Sequence, residues 1–220
     1  MSRLEPPFDY LVNPTAIERL SFETIRAETD LARFGPMGAE VVSRLVHTAG
    51  DPGIADAVSA DEHSVVSGVD ALVNEAAVLC DVEMLRSGLS RRHLPVEPEC
   101  CLDGDGVAQR ARERGITRTM AAVDDWLPRL DGTIAVVGNA PTALYRLLEH
   151  LYAGAARPAL VVGMPCGFVG AAESKAALAH FAEHYRQPAV WIEGRRGGSA
   201  LAAAAVNAMA RLSRGEGNVA

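Results

Sequence analysis

The sequence predicts an α/β fold in which a mainly parallel sheet carries helices on both faces. Strand-like apolar runs alternate with helical stretches of about ten to fifteen residues, which is the pattern of parallel α/β proteins. Runs such as TIAVVG (133–138) and ALVVG (159–163) are apolar at nearly every position, as expected for strands covered on both sides. Three runs end in glycine-rich turns that are followed by helices, at 135–151, 160–181 and 190–212.

Helices dominate the first half of the chain. Apolar residues recur at helical spacing over 12–33, where Asn13 provides a cap and Pro14 a first-turn proline. The next helix is predicted over 37–50 and ends at Gly50. The remaining elements before the three units are a helix at 64–76, a buried strand at 76–82, a helix at 83–88, a weaker strand at 98–104 and helices at 107–115 and 117–130. Together these elements predict a three-layer, Rossmann-like architecture.

A single domain accounts for the 220 residues, of which 49% are hydrophobic, enough for one substantial core. We expect residues 1–9 and 213–220 to be flexible ends. The net charge of −7 does not favour nucleic acid as a partner. The N-terminal segment lacks the apolar run of a signal peptide, and no apolar stretch reaches about 18 residues. We therefore expect a cytoplasmic protein that does not enter a membrane.

Metal sites and disulfides are not favoured. The chain has four cysteines, none in C-x-x-C spacing, and we expect them to be buried free thiols: Cys80, Cys100, Cys101 and Cys166. His180 and His184 are spaced i, i+4 but lack an evident third ligand. The pair Asp103 and Asp105 belongs to only a fragment of a calcium loop, so no metal is predicted.

The glycine-rich turns indicate a site for an acidic ligand. Each turn leaves backbone N–H groups and a helix N-terminus at the carboxyl end of a strand, where open α/β sheets bind anions. The turn at 138–142 lacks G-x-G-x-x-G, and no acidic residue ends the next strand, so a dinucleotide is not favoured. The segment 170–175 lacks the G-K pair of a phosphate-binding loop. We expect one shared crevice for an acidic ligand larger than phosphate.

Several side chains at these turns are candidate ligand contacts. Arg195 and Arg196 adjoin a glycine turn, where they either bind carboxylates with their guanidinium groups or belong to a solvated loop. Ser174 either binds a carboxylate together with backbone amides or simply belongs to a first helical turn stabilised by an acid. Asp81 and Glu83 follow a predicted strand, and they either serve a ligand or cap the next helix.

His47 is the candidate for acid–base chemistry. It lies at the C-terminal end of an otherwise apolar helix. A histidine at that position is a capping or core residue, or a general acid, since a helix C-terminus favours its protonated form. A serine or cysteine hydrolase is not favoured, because G-x-S-x-G is absent and Cys166 has no local base.

Six segments along residues 10–212 together resemble the precorrin-8X methylmutase family, and the long segment is the most specific. In chain order they are SFETIRAE (21–28), the segment around His47, LCDVEM (79–84), GNAPTAL (138–144), GMPCGFVGAAESK (163–175) and GRRGGS (194–199). Two departures are modest. Cys166 stands where the family often has valine, and residues 94–99 are less similar to the family.

The resemblance implies an isomerase that moves a methyl group from C11 to C12 of a corrinoid precursor, a suprafacial 1,5-shift that consumes no redox cofactor. It implies that His47 is catalytic and protonates the macrocycle, and that the protein is a homodimer with its active site near the subunit interface. The implied substrate is a flat ring fringed by acetate and propionate groups. The candidate contacts are the guanidinium groups of Arg26, Arg118, Arg195 and Arg196, the hydroxyls of Thr142, Ser174 and Ser199, and also Ser21, Asn139 and Gly167.

Both precorrin-8X and cobalt-precorrin-8 fit this expectation as substrates. Two other functions remain open at this point. A corrinoid carrier that sequesters the product would have the same pocket but no use for a proton donor. A nucleotide-dependent oxidoreductase on a Rossmann-like scaffold would be stabilised by NAD(P).

Overall fold

A central sheet of six strands organises residues 8–217, the part of the chain that the computed structural model describes. The strands are β1 (Val58–Ser59), β2 (Val78–Cys80), β3 (Glu99–Cys100), β4 (Ile134–Val137), β5 (Leu160–Gly163) and β6 (Ala189–Ile192). The helices are α1 (Pro14–Glu28), α2 (Pro36–Ala49), α3 (Glu62–Val73), α4 (Glu83–Gly88), α5 (Val107–Arg114), α6 (Arg118–Asp124), α7 (Pro141–Tyr152), α8 (Ala171–Tyr185) and α9 (Ser199–Leu212). Short 3-10 turns cover Pro52–Ala57 and Leu127–Arg129.

The strand order is β1-β6-β5-β4-β2-β3. Every pair is parallel except β1 and β6, where Val58 lies opposite Ile192. The predicted α/β class with a mainly parallel sheet is therefore confirmed. Strand β1 was not predicted, because two residues after a 3-10 turn carry no readable periodicity.

Two predicted helices are shorter than their patterns indicated. Helix α1 ends at Glu28, because the next residue, Thr29, has an extended backbone. The helix predicted over 117–130 divides into α6 and a 3-10 turn that contains Pro128. A proline inside a helix removes an N–H donor and clashes with the preceding turn, so the continuous helix ends before it.

Alternate residues of the strands face two separate cores. In β4, Ile134 and Val136 pack with α1–α4 and α9, whereas Ala135 and Val137 pack with α6–α8. The predicted placement of helices on both faces is confirmed. Helix α9 contacts β4 and β5 on one side and α2 on the other, and α1 packs against α2. Helix α2, which carries His47, thus lies in an outer layer above α9.

The segment that follows α9 is hydrogen-bonded to the last turn of that helix, and a flexible end from residue 213 stays a prediction. The amide of Ser213 donates to the carbonyl of Met209 at 2.8 Å, and the amide of Glu216 donates to the carbonyl of Arg211 at 2.9 Å. Of the predicted flexible ends, residues 1–7 and 218–220 lie outside the described residues.

The four cysteines are free thiols, but their burial differs from the expectation. Cys80 is buried, Cys100 and Cys101 are half-buried, and Cys166 is exposed. Cys166 is exposed because it lies in the turn after β5, outside both cores. Between residues 8 and 217, no helix combines the length and apolar character needed to cross a bilayer.

Candidate functional site

His47 lies in the last turn of α2, which ends at Gly50 in the left-handed conformation with φ 62°. A side chain at position 50 would strain this conformation, so the glycine that was read as a helix stop is also required by the backbone. The Nδ1 atom of His47 lies 3.0 Å from the Ser21 hydroxyl, and its ring stacks on Phe22 with centroids 5.2 Å apart. The packing of α1 on α2 therefore fixes the orientation of the imidazole.

The second ring nitrogen, Nε2, has no hydrogen-bond partner among the described residues. The histidine side chain is exposed at this end of α2. One nitrogen is thus held by the protein, and the other is left for a ligand.

Arg44 sets much of the charge around this histidine. Its guanidinium lies 4.4 Å from the centre of the Phe22 ring, and its Nη2 lies 3.3 Å from a carboxylate oxygen of Glu18. Desolvation lowers the pKa of His47 from the ordinary 6.5, the Arg44 charge lowers it further, and Glu18 opposes both. The direction is opposite to the bias expected from the helix C-terminus alone.

Two grooves meet at His47. The first, which we call the apolar groove, has a volume of about 570 Å³ and lies between α1 and the end of α2. Leu11, Ile17 and Leu20 form its apolar wall, while Glu28 and Asp51 bring acidic groups to its rim. The second, which we call the basic groove, has a volume of about 420 Å³ and lies between α2, α9 and the segment after α4.

The turn after β4 has its backbone donors occupied from within. The Asp81 carboxylate accepts hydrogen bonds from the amides of Gly138 at 3.0 Å and of Asn139 and Ala140 at 2.9 Å. Asp81 is 1% exposed, so its carboxylate is enclosed by the fold. Burial raises the pKa of the carboxyl, and the three backbone hydrogen bonds oppose that shift. The backbone donors expected for a ligand here belong to the fold, and Asn139 offers only its exposed side chain.

The next turn is also closed by internal contacts. Ser174 has no exposed surface, and its hydroxyl donates to the Ala171 carbonyl at 3.1 Å, so it does not reach a ligand in this conformation. The buried Lys175 ammonium donates to the Arg196 carbonyl at 2.6 Å. The amide of Gly167 donates to the Arg195 carbonyl at 3.2 Å. These two bonds join the turn after β5 and the start of α8 to the turn after β6.

Arg196 connects these turns to the apolar groove. Its guanidinium donates to the Asp51 carboxylate at 2.7 Å and to the Gly53 carbonyl at 3.2 Å. Arg195 is exposed and stacks over the exposed ring of Phe168 at 5.3 Å. The hydroxyl of Ser199, buried at the start of α9, has no hydrogen-bond partner among residues 8–217.

The other predicted contacts lie elsewhere. Arg118 pairs with Asp103, and the Thr142 hydroxyl lies 2.9 Å from that of Thr117, so these residues form a separate polar group beside α6 and α7.

Arg26 is exposed in the last turn of α1, with no ion pair in the described part of the chain. The structure therefore brings Ser21, His47 and, through Asp51, Arg196 together, and it keeps Arg118 and Thr142 apart from them.

The sequence did not lead us to the residues that shift the pKa of His47 or line the grooves beside it. Arg44 lies one helical turn before His47, and this i, i+3 spacing could have indicated it. Asp51 follows the helix stop directly. Arg211 and His93 line the basic groove from distant parts of the chain, and no local pattern indicates them.

Fold and site together define an α/β protein that presents a histidine between two grooves beside the strand ends. Among residues 8–217, no three or more histidine, cysteine, aspartate or glutamate side chains are grouped so as to hold a metal ion. The sequence profile of the precorrin-8X methylmutase family matches residues 16–212. The chain belongs to the precorrin-8X methylmutase family, and it is therefore a methylmutase, an isomerase of cobalamin biosynthesis.

Individual relatives agree with this assignment. The precorrin-8X methylmutase of Pseudomonas aeruginosa is 45% identical over 204 residues, covering 92% of this chain and 97% of that protein. The cobalt-precorrin-8 methylmutase of Salmonella typhimurium is 39% identical over 209 residues, covering 91% and 96%. The crystal structure of precorrin-8x methyl mutase from Thermus thermophilus superposes with a TM-score of 0.81 at 36% identity, covering 93% of this chain and 99% of that one.

Proposed function

We propose that this chain moves the methyl group from C11 to C12 of precorrin-8X or cobalt-precorrin-8 and yields hydrogenobyrinic or cobyrinic acid. The observation that carries the proposal is His47, which is held through Nδ1 by Ser21 and leaves Nε2 free where two grooves meet. Relatives named for both substrates support either substrate for this chain.

In the proposed mechanism, His47 donates a proton to the macrocycle and thereby promotes migration of the methyl group. The bond from the methyl group to C11 breaks as its bond to C12 forms, and the macrocycle then returns a proton to His47, so that substrate and product are isomers and no proton is consumed overall. The protein needs to hold the ring and supply one proton, so positioning carries much of the rate enhancement.

The lowered pKa of His47 gives this step a pH dependence. A proton donor is active in its protonated form, and burial together with Arg44 disfavours that form in the free protein. We expect kcat/KM to fall as the pH rises through a pKa below 6.5, because kcat/KM reports the free enzyme.

Carboxylate contacts are proposed where donors remain accessible. Arg195 and Arg26 are exposed and have no carboxylate partner among residues 8–217, and Asn139 has an exposed side chain. Arg196 would bind a ligand carboxylate only by sharing its contact with Asp51. We therefore assign Arg196 first to positioning the rim of the apolar groove.

We also propose that the protein works as a homodimer in the cytoplasm. Exposed apolar side chains cluster along the N-terminal segment and α1, next to the apolar groove: Phe8, Tyr10, Leu11, Val12, Ile17 and Leu20. Contiguous apolar surface of this kind is typical of interfaces. A second copy on this surface would place the site near the subunit interface. Light scattering across a concentration series tests the dimer, and a monomer at every concentration would contradict it.

The decisive experiment follows the absorbance of precorrin-8X and cobalt-precorrin-8, in parallel, with purified protein. We expect conversion of at least one substrate, and a loss of kcat of about 100-fold or more in His47→Asn with corrinoid binding retained. Thermal unfolding of the variant should match the parent, because the side chain is exposed. Wild-type turnover in His47→Asn would refute the proton-donor role. A parent protein that binds product without converting substrate would instead be a carrier.

A further inference from the structure

The basic groove is a second cavity at His47, and its lining differs from that of the apolar groove. Its charged and titratable lining groups are Arg44, His47, His93 and Arg211, and no acidic residue lines it. The apolar groove, in contrast, carries Glu28 and Asp51. An anionic group that approaches His47 therefore meets positive charge on one side and negative charge on the other.

Two side chains that line the basic groove each carry one buried nitrogen that makes no hydrogen bond within the described residues. Arg211 donates through Nη2 to the Gly217 carbonyl at 3.2 Å, but its Nε has no hydrogen-bond partner among the described residues. His93 is held at Nδ1 by the Ser90 hydroxyl at 3.0 Å. Its Nε2 lies 3.6 Å from the Glu216 carboxylate, which is too far for a hydrogen bond.

The walls of the groove are fixed by other contacts. The side-chain oxygen of Asn207 accepts a hydrogen bond from the Ser90 backbone amide at 2.8 Å, and its side-chain nitrogen donates to the Gly88 carbonyl at 2.9 Å. Both ends of this side chain are therefore bonded within the fold. The small side chains of three alanines on α9 line the bottom of the groove and leave space above them: Ala200, Ala203 and Ala204. The volume of about 420 Å³ lies near the low end of the ~300–1,000 Å³ typical of drug-sized ligands, so the groove fits part of a large ligand.

The fixed charges of the groove are the two arginines. Arg44 is also paired with Glu18, whereas Glu216 pairs with Arg214 at 3.5 Å behind His93.

The pKa values of both histidines in the groove are lowered. Desolvation is the larger cause, Arg44 contributes for His47, and Arg92, Arg211 and Arg214 contribute for His93. The arginine contributions to these pKa shifts have the sign expected of positive charge around the groove, and the Glu18 and Glu216 carboxylates oppose them.

We propose that the basic groove binds a carboxylate side chain of the substrate and so orients the ring over His47. The inference rests on the proposed function, because it identifies which edge of an acetate- and propionate-fringed macrocycle faces α9. The carboxylate-bearing edge enters between Arg211 and His93, and an apolar part of the ring lies along the apolar groove. The acidic rim at Glu28 and Asp51 disfavours the reversed orientation.

The test compares two variants of similar side-chain volume, one of which adds a negative charge to the groove. Ser90→Asp and Ser90→Asn have nearly the same shape and differ in charge and in one N–H₂ donor, both replace the hydroxyl beside His93, and both keep the backbone amide that binds Asn207. The probes are hydrogenobyrinic acid and its fully methyl-esterified form, titrated against the whole protein by absorbance. We expect Ser90→Asp to bind the acid about tenfold more weakly than Ser90→Asn does, and the ester with equal affinity.

A second pair of variants removes the charge instead. Arg211→Gln should weaken binding of the acid about tenfold, and Arg211→Lys should restore most of it, while neither changes binding of the ester. Equal affinity of both Ser90 variants for the acid would overturn the proposal. Equal weakening of acid and ester would overturn it as well, because the effect would then be steric. A parent protein that binds neither probe would refute the proposed function itself, a result distinct from both.

Discussion

The glycine-rich strand ends differ from the α1–α2 helix pair in how far their polar groups are hydrogen-bonded within the protein. At the strand ends, Asp81 accepts hydrogen bonds from three backbone amides and Lys175 donates to the Arg196 carbonyl, so the fold satisfies these donors. At the helix pair, Ser21 holds one nitrogen of His47 and leaves the other without a partner in the described chain. The strand ends therefore form a rigid support, and the reactive group lies on the helix layer above it.

The largest expected effect at the strand ends is on stability. Asp81→Ala leaves one buried and two part-buried N–H groups without their acceptor, and we expect the free energy of unfolding to fall by about 3–5 kcal/mol. Gly138 packs so tightly that a Cβ there would lie 3.0 Å from Ser199 and Ala202, so the turn has little freedom to find other partners. Urea denaturation measures this change.

Asp81→Asn is the matched control, because it keeps the shape and one acceptor oxygen but turns an amide N–H₂ towards backbone donors. We expect an intermediate loss of stability, and kcat of the folded protein close to that of the parent. A large loss of kcat in a variant that keeps its stability would break the distinction between support and chemistry.

Lys175 provides a smaller effect with a defined pH range. It is the single lysine of the chain, it is 1% exposed, and desolvation lowers its pKa to about 8. Between pH 8 and its ordinary 10.5, the unfolded chain holds this proton more strongly than the folded chain does. The free energy of unfolding should therefore rise across that range, by about 1–2 kcal/mol relative to Lys175→Met.

Denaturation of parent and variant at several pH values measures this difference, and the tyrosines cancel because both proteins contain them. Amine labelling gives a second readout, since Lys175 and the N-terminal amine are the amines of the chain. Parallel stability curves with a labelling pKa near 10.5 would contradict a desolvated lysine. They would also weaken the view that the strand ends are closed internally.

The sequence allowed the elements of both regions to be predicted, but not the contacts between them. The helix stop at Gly50 and the turns after β4, β5 and β6 were readable because each depends on neighbouring residues. Asp81 lies 57 residues from Gly138, and their contact follows from the pairing of β2 with β4, which no local pattern encodes. An acidic ligand was predicted at this turn because of its backbone N–H groups, and in the structure these groups donate to Asp81.

The histidine shows the same limit. Its helix and its position near Gly50 are local properties, whereas Ser21, 26 residues away, reaches it only because α1 packs on α2. The direction of its pKa shift depends on burial and on Arg44, so the helix C-terminus alone predicted the opposite direction. Tertiary packing decides both the orientation and the charge of this side chain.

The smallest predicted effect tests whether Ser21 positions the histidine. Ser21→Ala removes the Nδ1 partner, and we expect kcat to fall about fivefold with KM unchanged, since one neutral hydrogen bond is worth about 1 kcal/mol. Ser21→Thr keeps the hydroxyl and should restore most of the loss. Thr24→Ala is the matched control, because this hydroxyl lines the same groove one turn further along α1 but donates to the Leu20 carbonyl at 2.8 Å rather than to His47.

Unfolding free energies of these α1 variants should lie within about 0.5 kcal/mol of the parent, in contrast to Asp81→Ala. Equal activity of Ser21→Ala and Thr24→Ala would show that the imidazole is oriented by its stack on Phe22 alone. A fall in kcat without a change in stability would place the Ser21 hydroxyl in the chemistry of the helix pair. The two regions would then be separated by measurement, since substitutions at one change unfolding and substitutions at the other change turnover.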